Sequence, residues 1–131
     1  MVLLESSFLV DILRNKKSAI SLLEEFERRK EPTIVVASPS IVELWEGALK
    51  SKLSEKEKLR VDDLLSSASV LLLDVKSAKR TAEIVVESSK KGLAIEPHDA
   101  MIAGIASAND EIIVTRDNQF ARLPGLKVLT Y

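Results

Sequence analysis

The stretch EPHDAMIAGIASANDEIIVTRDNQFARLPGLKVL, residues 96–129, decides the fold class. Pro97 suits the first position of a helix, where its missing N–H costs nothing. Met101, Ile102, Ile105 and Ala106 then fall on a helix with small or apolar residues on most sides, which predicts burial. Ile112–Val114 follows as a β-branched run that is apolar at every position, the pattern of a strand covered on both faces. A short helix over 118–123 and a further apolar run, Leu126–Leu129, close the stretch. A buried helix feeding a doubly covered strand belongs to an α/β protein with helices on both sides of a parallel sheet.

The rest of the chain repeats this alternation. Val2–Leu4 forms a short run that breaks at Glu5, Thr33–Ala37 (TIVVA) a second after Pro32, and Val70–Leu73 a third. Between them, apolar residues at helical spacing recur at Ala19, Leu22, Leu23 and Phe26; at Ile41, Leu44, Trp45 and Ala48; at Val61, Leu64, Leu65 and Ala68; and at Ala78, Ala82, Val85 and Val86. Gly92 is placed to end the last of these as a left-handed cap. The expected order is β, α, α, β, α, α, β, α, α, β, short helix, β. It predicts a three-layer α/β/α sandwich around a mostly parallel sheet of four to five strands. At 131 residues, one domain spanning 1–131 is expected, long enough to bury a core without staples. The absence of cysteine excludes a disulfide framework, a Cys-based zinc site and thiol catalysis, and one histidine excludes an intramolecular His-rich metal site. A net charge of -1 gives no overall pull toward nucleic acid or anionic membrane. Glu5 and Asp11 interrupt the apolar start, so it reads neither as a signal peptide nor as a membrane span, and a cytoplasmic protein is expected.

In an open parallel sheet the ligand crevice lies outside the carboxyl ends of the strands. Here those ends carry acids and hydroxyls: Glu5-Ser6-Ser7 after the first strand, Ser38-Pro39-Ser40 leading to Glu43 after the second, Thr115-Arg116-Asp117 after the fourth. Pro97-His98-Asp99 opens the buried helix before that fourth strand. Each acid also has a structural explanation. Asp99 complements a helix dipole, Asp117 caps the short helix, and Glu43 closes a capping box with Ser40 unless Pro39 is the first helical residue and Ser38 its cap. Helical phase puts Glu43 nearly opposite the Ile41, Leu44, Trp45 stripe, toward solvent. Gathered at one sheet end, however, such carboxylates repel by roughly 4 kcal/mol per close pair at intermediate dielectric, and a divalent cation is the simplest compensation. An all-oxygen donor set suits Mg²⁺ or Mn²⁺, which favour phosphate substrates.

Taken together these residues resemble the PIN-domain endoribonucleases, especially the toxin halves of bacterial and archaeal VapBC toxin-antitoxin pairs. LLESSFLVDILR resembles that family's first strand and acidic turn, SPSIVELWEG its second-strand loop and Glu-bearing helix, and residues 96–129 its third-acid helix, Thr-x-Asp turn and closing Phe-x-x-x-Pro-Gly segment. By position, the resemblance implies an acidic quartet of Glu5, Glu43, Asp99 and Asp117 as catalytic metal ligands, with Ser7 and Thr115 as supporting hydroxyls. It implies a hydrolase that uses Mg²⁺ or Mn²⁺ to cleave RNA phosphodiesters with a metal-activated water, working as a cytoplasmic homodimer held in check by a cognate antitoxin protein. One position departs: the family has Asp where this chain has Glu5. The extra methylene moves the carboxylate by roughly 1.5 Å in a site where about 1 Å can cost a hundredfold in rate.

Other polar residues are assigned elsewhere. Asp11 reads as a helix-surface or N-terminal-turn acid, His98 as structural, Arg116 as a surface arginine or a phosphate contact, and Trp45 and Phe8 as core or interface residues. Lys16-Lys17, Arg28-Arg29-Lys30 and Lys90-Lys91 read as solvated faces. Two rivals are a receiver-like signalling domain, credited by Asp74 after the third run, and a PIN-fold protein-binding module without catalysis. Against the receiver, this chain has no adjacent acidic pair after strand one and no Lys followed by Pro near 116–118.

Overall fold

The computed structural model describes residues 2–29 and 34–131; Lys30, Pro32 and Thr33 of the expected elements lie outside them. Along the chain run β1 (Val2–Leu4), α1 (Ser6–Leu13), α2 (Lys17–Arg28), β2 (Ile34–Ala37), α3 (Ser38–Lys50) and α4 (Ser54–Ser66). Then come β3 (Ser69–Leu71), α5 (Val75–Lys90), α6 (Pro97–Ala108), β4 (Ile112–Thr115), a 3-10 turn (Phe120–Arg122) and β5 (Lys127–Thr130). This is the order expected from the apolar pattern. The five strands form one sheet in the order β3-β2-β1-β4-β5 with every neighbouring pair parallel.

The two-residue period of each strand divides the core into two layers. Val2 and Leu4 of β1, Val36 of β2 and Val114 of β4 face one side, where Phe8, Leu9, Ala19, Phe26, Leu44, Ala48 and Val61 of α1 to α4 cover them. Leu3, Val35, Ala37 and Ile113 face the other side, under Ile84 of α5 and Ile102, Ala103, Ile105 and Ala106 of α6. Each fully buried Leu, Ile or Phe contributes about 1.5–3 kcal/mol of transfer free energy. The central strands are thus covered on both faces over most of their length, with Ile112, at the start of β4, 38 % exposed. The two edge strands are not: Val70 of β3 and Leu129 of β5 remain about 40 % exposed.

Helix α5 corrects a second expectation. Its helical extent agrees with the pattern, but Ala78, Ala82, Val85 and Val86 point outward, while Ser77, Ile84 and Ser88 are buried. The reason is the close packing of α5 on α6. A Cβ on Gly104 would lie 1.9 Å from Thr81 Oγ1 and 2.8 Å from both Ser77 O and Thr81 N, so small and hydroxylic residues, not valines, fit the contact. Asp74 is the N-cap of α5 in a capping box, taking the Ser77 N–H at 2.9 Å while Ser77 Oγ accepts from the Asp74 N–H, which removes the feature that favoured a receiver. Gly92 ends α5 at φ 73°, as expected. None of the helices among the described residues is long and apolar enough to cross a membrane.

Candidate active site at the carboxyl ends of the strands

From β1 the chain builds outward through β2 to β3, then crosses back to lay β4 and β5 on the other side of β1. The switch point of the sheet therefore falls between β1 and β4, and a crevice opens beyond their carboxyl ends. Glu5 follows β1 directly, its N–H still bonded to Val114 O at 3.0 Å, and Thr115 ends β4 beside it.

Glu5 is 5 % exposed and caps α1. Its Oε2 accepts from the Ser7 N–H at 3.0 Å, from Ser7 Oγ at 2.6 Å and from Thr115 Oγ1 at 2.7 Å. No hydrogen bond among the described residues reaches Oε1, so one oxygen is pinned and the other is open. The hydroxyls are themselves held: Ser7 Oγ accepts from the Arg116 N–H and Thr115 Oγ1 from the Asp117 N–H. Asp117 turns its Oδ1 to the Gln119 N–H at 2.9 Å and so holds the turn that leads into the 3-10 helix, but the helix is shorter than expected and its N-cap is Gln119, not Asp117.

Glu43 arrives from α3, and here both cap readings fail. Ala37 is the N-cap with no side-chain bond, Ser38 is already helical and Pro39 comes second. Ser40 turns inward, 0 % exposed, and accepts from Ser6 Oγ instead of closing a box with Glu43. Glu43 is only partly exposed, because Ser6 Oγ also lies 2.9 Å from its Oε1 across to α1. Periodicity sent Glu43 to solvent because it counts only the sheet-facing stripe, whereas α3 also packs sideways on α1.

Asp99 completes the set from the first turn of α6. Its carboxyl is pushed up to about 6, first by burial, then by the fields of Glu5, Asp117 and Glu43, with Glu96 adding to them. The four acids named from the sequence thus feel one another at one end of the sheet. They are not closed around a point: among the described residues no three acidic or histidine side chains stand together as a ready metal cage. Mutual repulsion is reason enough for them to keep apart. The donor chemistry nonetheless fits a hard divalent cation, being all oxygen, crowded with negative charge and held in part by hydroxyls that leave one Glu5 oxygen unused.

Two groups escaped the sequence reading. Ser6, next to Ser7 in the same ESS turn, joins α1 to α3. Asp11 is no surface acid; it is 1 % exposed, bonded to Arg116 Nε at 3.0 Å and Tyr131 Oη at 2.7 Å, with Lys16 Nζ at 3.5 Å. Burial pushes its carboxyl up, but the Tyr131 hydroxyl, Arg116 and Lys16 outweigh that and hold it below the usual carboxylate range. The signal was present, since Asp11 lies three residues after the buried Phe8 and shares its face, where Tyr131 packs edge-on at 5.0 Å. His98 is exposed and not part of the core. Lys16, Lys17, Arg28, Arg29, Lys90 and Lys91 are exposed, as expected.

A family model described as the PIN domain matches residues 2–126. The chain is 34% identical over 94 residues, 71% of each chain, to the tRNA(fMet)-specific endonuclease VapC of Salmonella typhimurium. It is 33% identical over 98 residues, 74% of this chain and 73% of the relative, to ribonuclease VapC2 of Rickettsia felis. Among solved structures, VapBC2 from Rickettsia felis bound to a DNA fragment from its promoter superposes with a TM-score of 0.90 at 28% identity, covering 100% of this chain and 99% of that one. DNA-bound VapBC from Salmonella typhimurium superposes at 0.89 and 28% identity, covering 99% and 98%.

Proposed function

Because the chain belongs to the PIN domain family, we propose that it is an endoribonuclease of the VapC type, the toxin of a toxin-antitoxin pair. What supports this reading is that Glu5, Glu43 and Asp117 all lie close enough to Asp99, at the carboxyl ends of the strands, for their fields together with burial to push its carboxyl up to about 6. In this reading the four carboxylates hold Mg²⁺ or Mn²⁺, and Ser7 and Thr115 orient Glu5. Such a cation supplies Lewis acidity, offsetting charge on the phosphoryl oxygens and making water more acidic.

The chain's own residues prepare the site. Ser7 Oγ and Thr115 Oγ1 lock Glu5 Oε2, Ser6 Oγ holds Glu43 Oε1, and the Gln119 N–H holds Asp117 Oδ1, so three of the four acids enter with a preset orientation. Hydrolysis joins a water oxygen to phosphorus, breaks the bond from phosphorus to the leaving ribose oxygen and returns the proton to that oxygen. Glu5 is one methylene longer than the family's aspartate, which lowers the rate without altering the fold.

Two partners complete the reading. An antitoxin segment lies in the groove of about 520 Å³ between α1, α3 and α4, over Val10, Leu13, Leu44 and Val61. Glu43 lines the same groove, so a Lys or Arg of that segment reaches the acids. The opposite face of α3, with Ile41, Val42, Trp45 and Leu49, pairs with a second copy. The protein so assembled works in the cytoplasm, with its RNA. The test is incubation with single-stranded RNA in Mn²⁺ and in chelator. Cleavage that needs Mn²⁺ and is lost in Asp117→Asn is expected; intact RNA at a Mn²⁺ concentration that shifts the melting curve would favour the binding module.

A further inference from the structure

A second cavity, of about 220 Å³, opens beside Asp99, between the loop that follows α5 and the 3-10 turn. Leu93, Ile95 and Leu123 supply its apolar walls, and Gln119 and Arg122 stand at its rim. Among the described residues neither the Gln119 amide nor the Arg122 guanidinium has a hydrogen-bond or ion-pair partner, although acids crowd the adjoining crevice. Asp99 belongs to both spaces. A ligand in the cavity is therefore separated from the carboxylate cluster by one side chain.

We propose that this cavity receives a single unpaired base of the RNA, next to the phosphate being cut, and that Gln119 and Arg122 read its edge. The inference rests on the nuclease reading above and adds to it a site of sequence discrimination. Size supports a base: the volume falls below the roughly 300–1,000 Å³ that encloses a drug-sized ligand, and so suits one ring system. Chemistry supports it as well. Unstacked RNA bases are read by apolar or guanidinium faces together with hydrogen bonds to their edges. Arginine donates two bonds to neighbouring acceptors, and a glutamine amide donates and accepts at once. Arg122 also places a positive charge at the rim of the cavity, where a polyanion needs one.

Neutral nucleosides test the cavity without metal or catalysis. Each of the four is titrated into the full chain in chelator while backbone amide resonances are followed by NMR. One nucleoside should move the Leu93, Ile95 and Gln119 amides and bind at least about fivefold tighter than the weakest. Arg122→Ala should abolish that difference, and since Arg122 is exposed the variant keeps its fold. No shift at millimolar concentration, or a preference that survives both Arg122→Ala and Gln119→Ala, overturns the proposal. Cleavage of a mixed-sequence RNA separates the two readings. Base-selective binding with RNA left intact refutes the nuclease and keeps the pocket, whereas cutting whose site preference is unchanged in Arg122→Ala refutes the pocket and keeps the nuclease.

Discussion

At the scale of single residues, Asp99 and Glu5 carry opposite consequences. Asp99 titrates near 3.9 in an unfolded chain and near 6 in the fold. Between those values the folded state binds more protons, so stability falls as pH rises through that window and stays lowered above it. Screening at a half-buried site reduces the cost to about 1 kcal/mol at neutral pH. Asp99→Asn should therefore raise the melting temperature in chelator at pH 7.5 by about 4 °C, with the gain shrinking below pH 6 and vanishing near pH 4. A lower midpoint for the variant at pH 7.5 would show that Asp99 is not held in a repulsive field. Glu5 is a helix cap as well as a proposed ligand, and aspartate is the better cap. Glu5→Asp should leave the melting curve unchanged or raised and increase Mn²⁺-dependent RNA cleavage several-fold, whereas Glu5→Gln should reduce it below detection. A slower Glu5→Asp enzyme would mean that the site is built around the longer side chain.

At the scale of elements, the tightest constraint is the contact of α5 with α6. Gly104→Ala places a methyl against two backbone atoms as well as Thr81 Oγ1, so the helices must separate, at a cost of about 1–3 kcal/mol. A fall of at least about 4 °C is expected, and Thr81→Ala in the same chain should not restore it, because Ser77 O and Thr81 N remain. Full rescue would show that only the hydroxyl is in the way. This contact also shows where sequence reading stopped. Strand and helix order were legible because the apolar period changes from run to stripe along the chain. Which face of α5 is buried was not, since Ser77, Thr81 and Ser88 carry no hydrophobic signal and are chosen for closeness. Glu43 failed for a related reason: it answers to Ser6 on another helix, and no single helix's period encodes that.

At the scale of the molecule, the acids were legible because parallel topology sends every strand end to one side of the sheet. The Asp11, Arg116 and Tyr131 cluster was legible only in part, since helical phase puts Asp11 on the buried face of Phe8 but its partner Tyr131 lies 120 positions away. Val42 and Leu49 are more than half exposed on the outer face of α3, an apolar surface suited to a second copy. Light scattering at micromolar concentration should give twice the 14.4 kDa chain mass, and Val42→Glu with Leu49→Glu should give the single-chain mass. A monomeric unaltered chain would remove the dimer and leave the fold untouched. The central property of the molecule in this reading is the binding of a divalent cation by the four carboxylates together. Thermal melting at pH 7.5, in chelator and in millimolar Mn²⁺, measures it directly, since the unfolded chain has no such site. A concentration of about a hundred times Kd should add roughly 2.7 kcal/mol and raise the midpoint by several degrees, a rise that Asp117→Asn and Glu5→Gln lose. An unaltered chain whose midpoint is the same with and without Mn²⁺ would mean that the four carboxylates hold no cation.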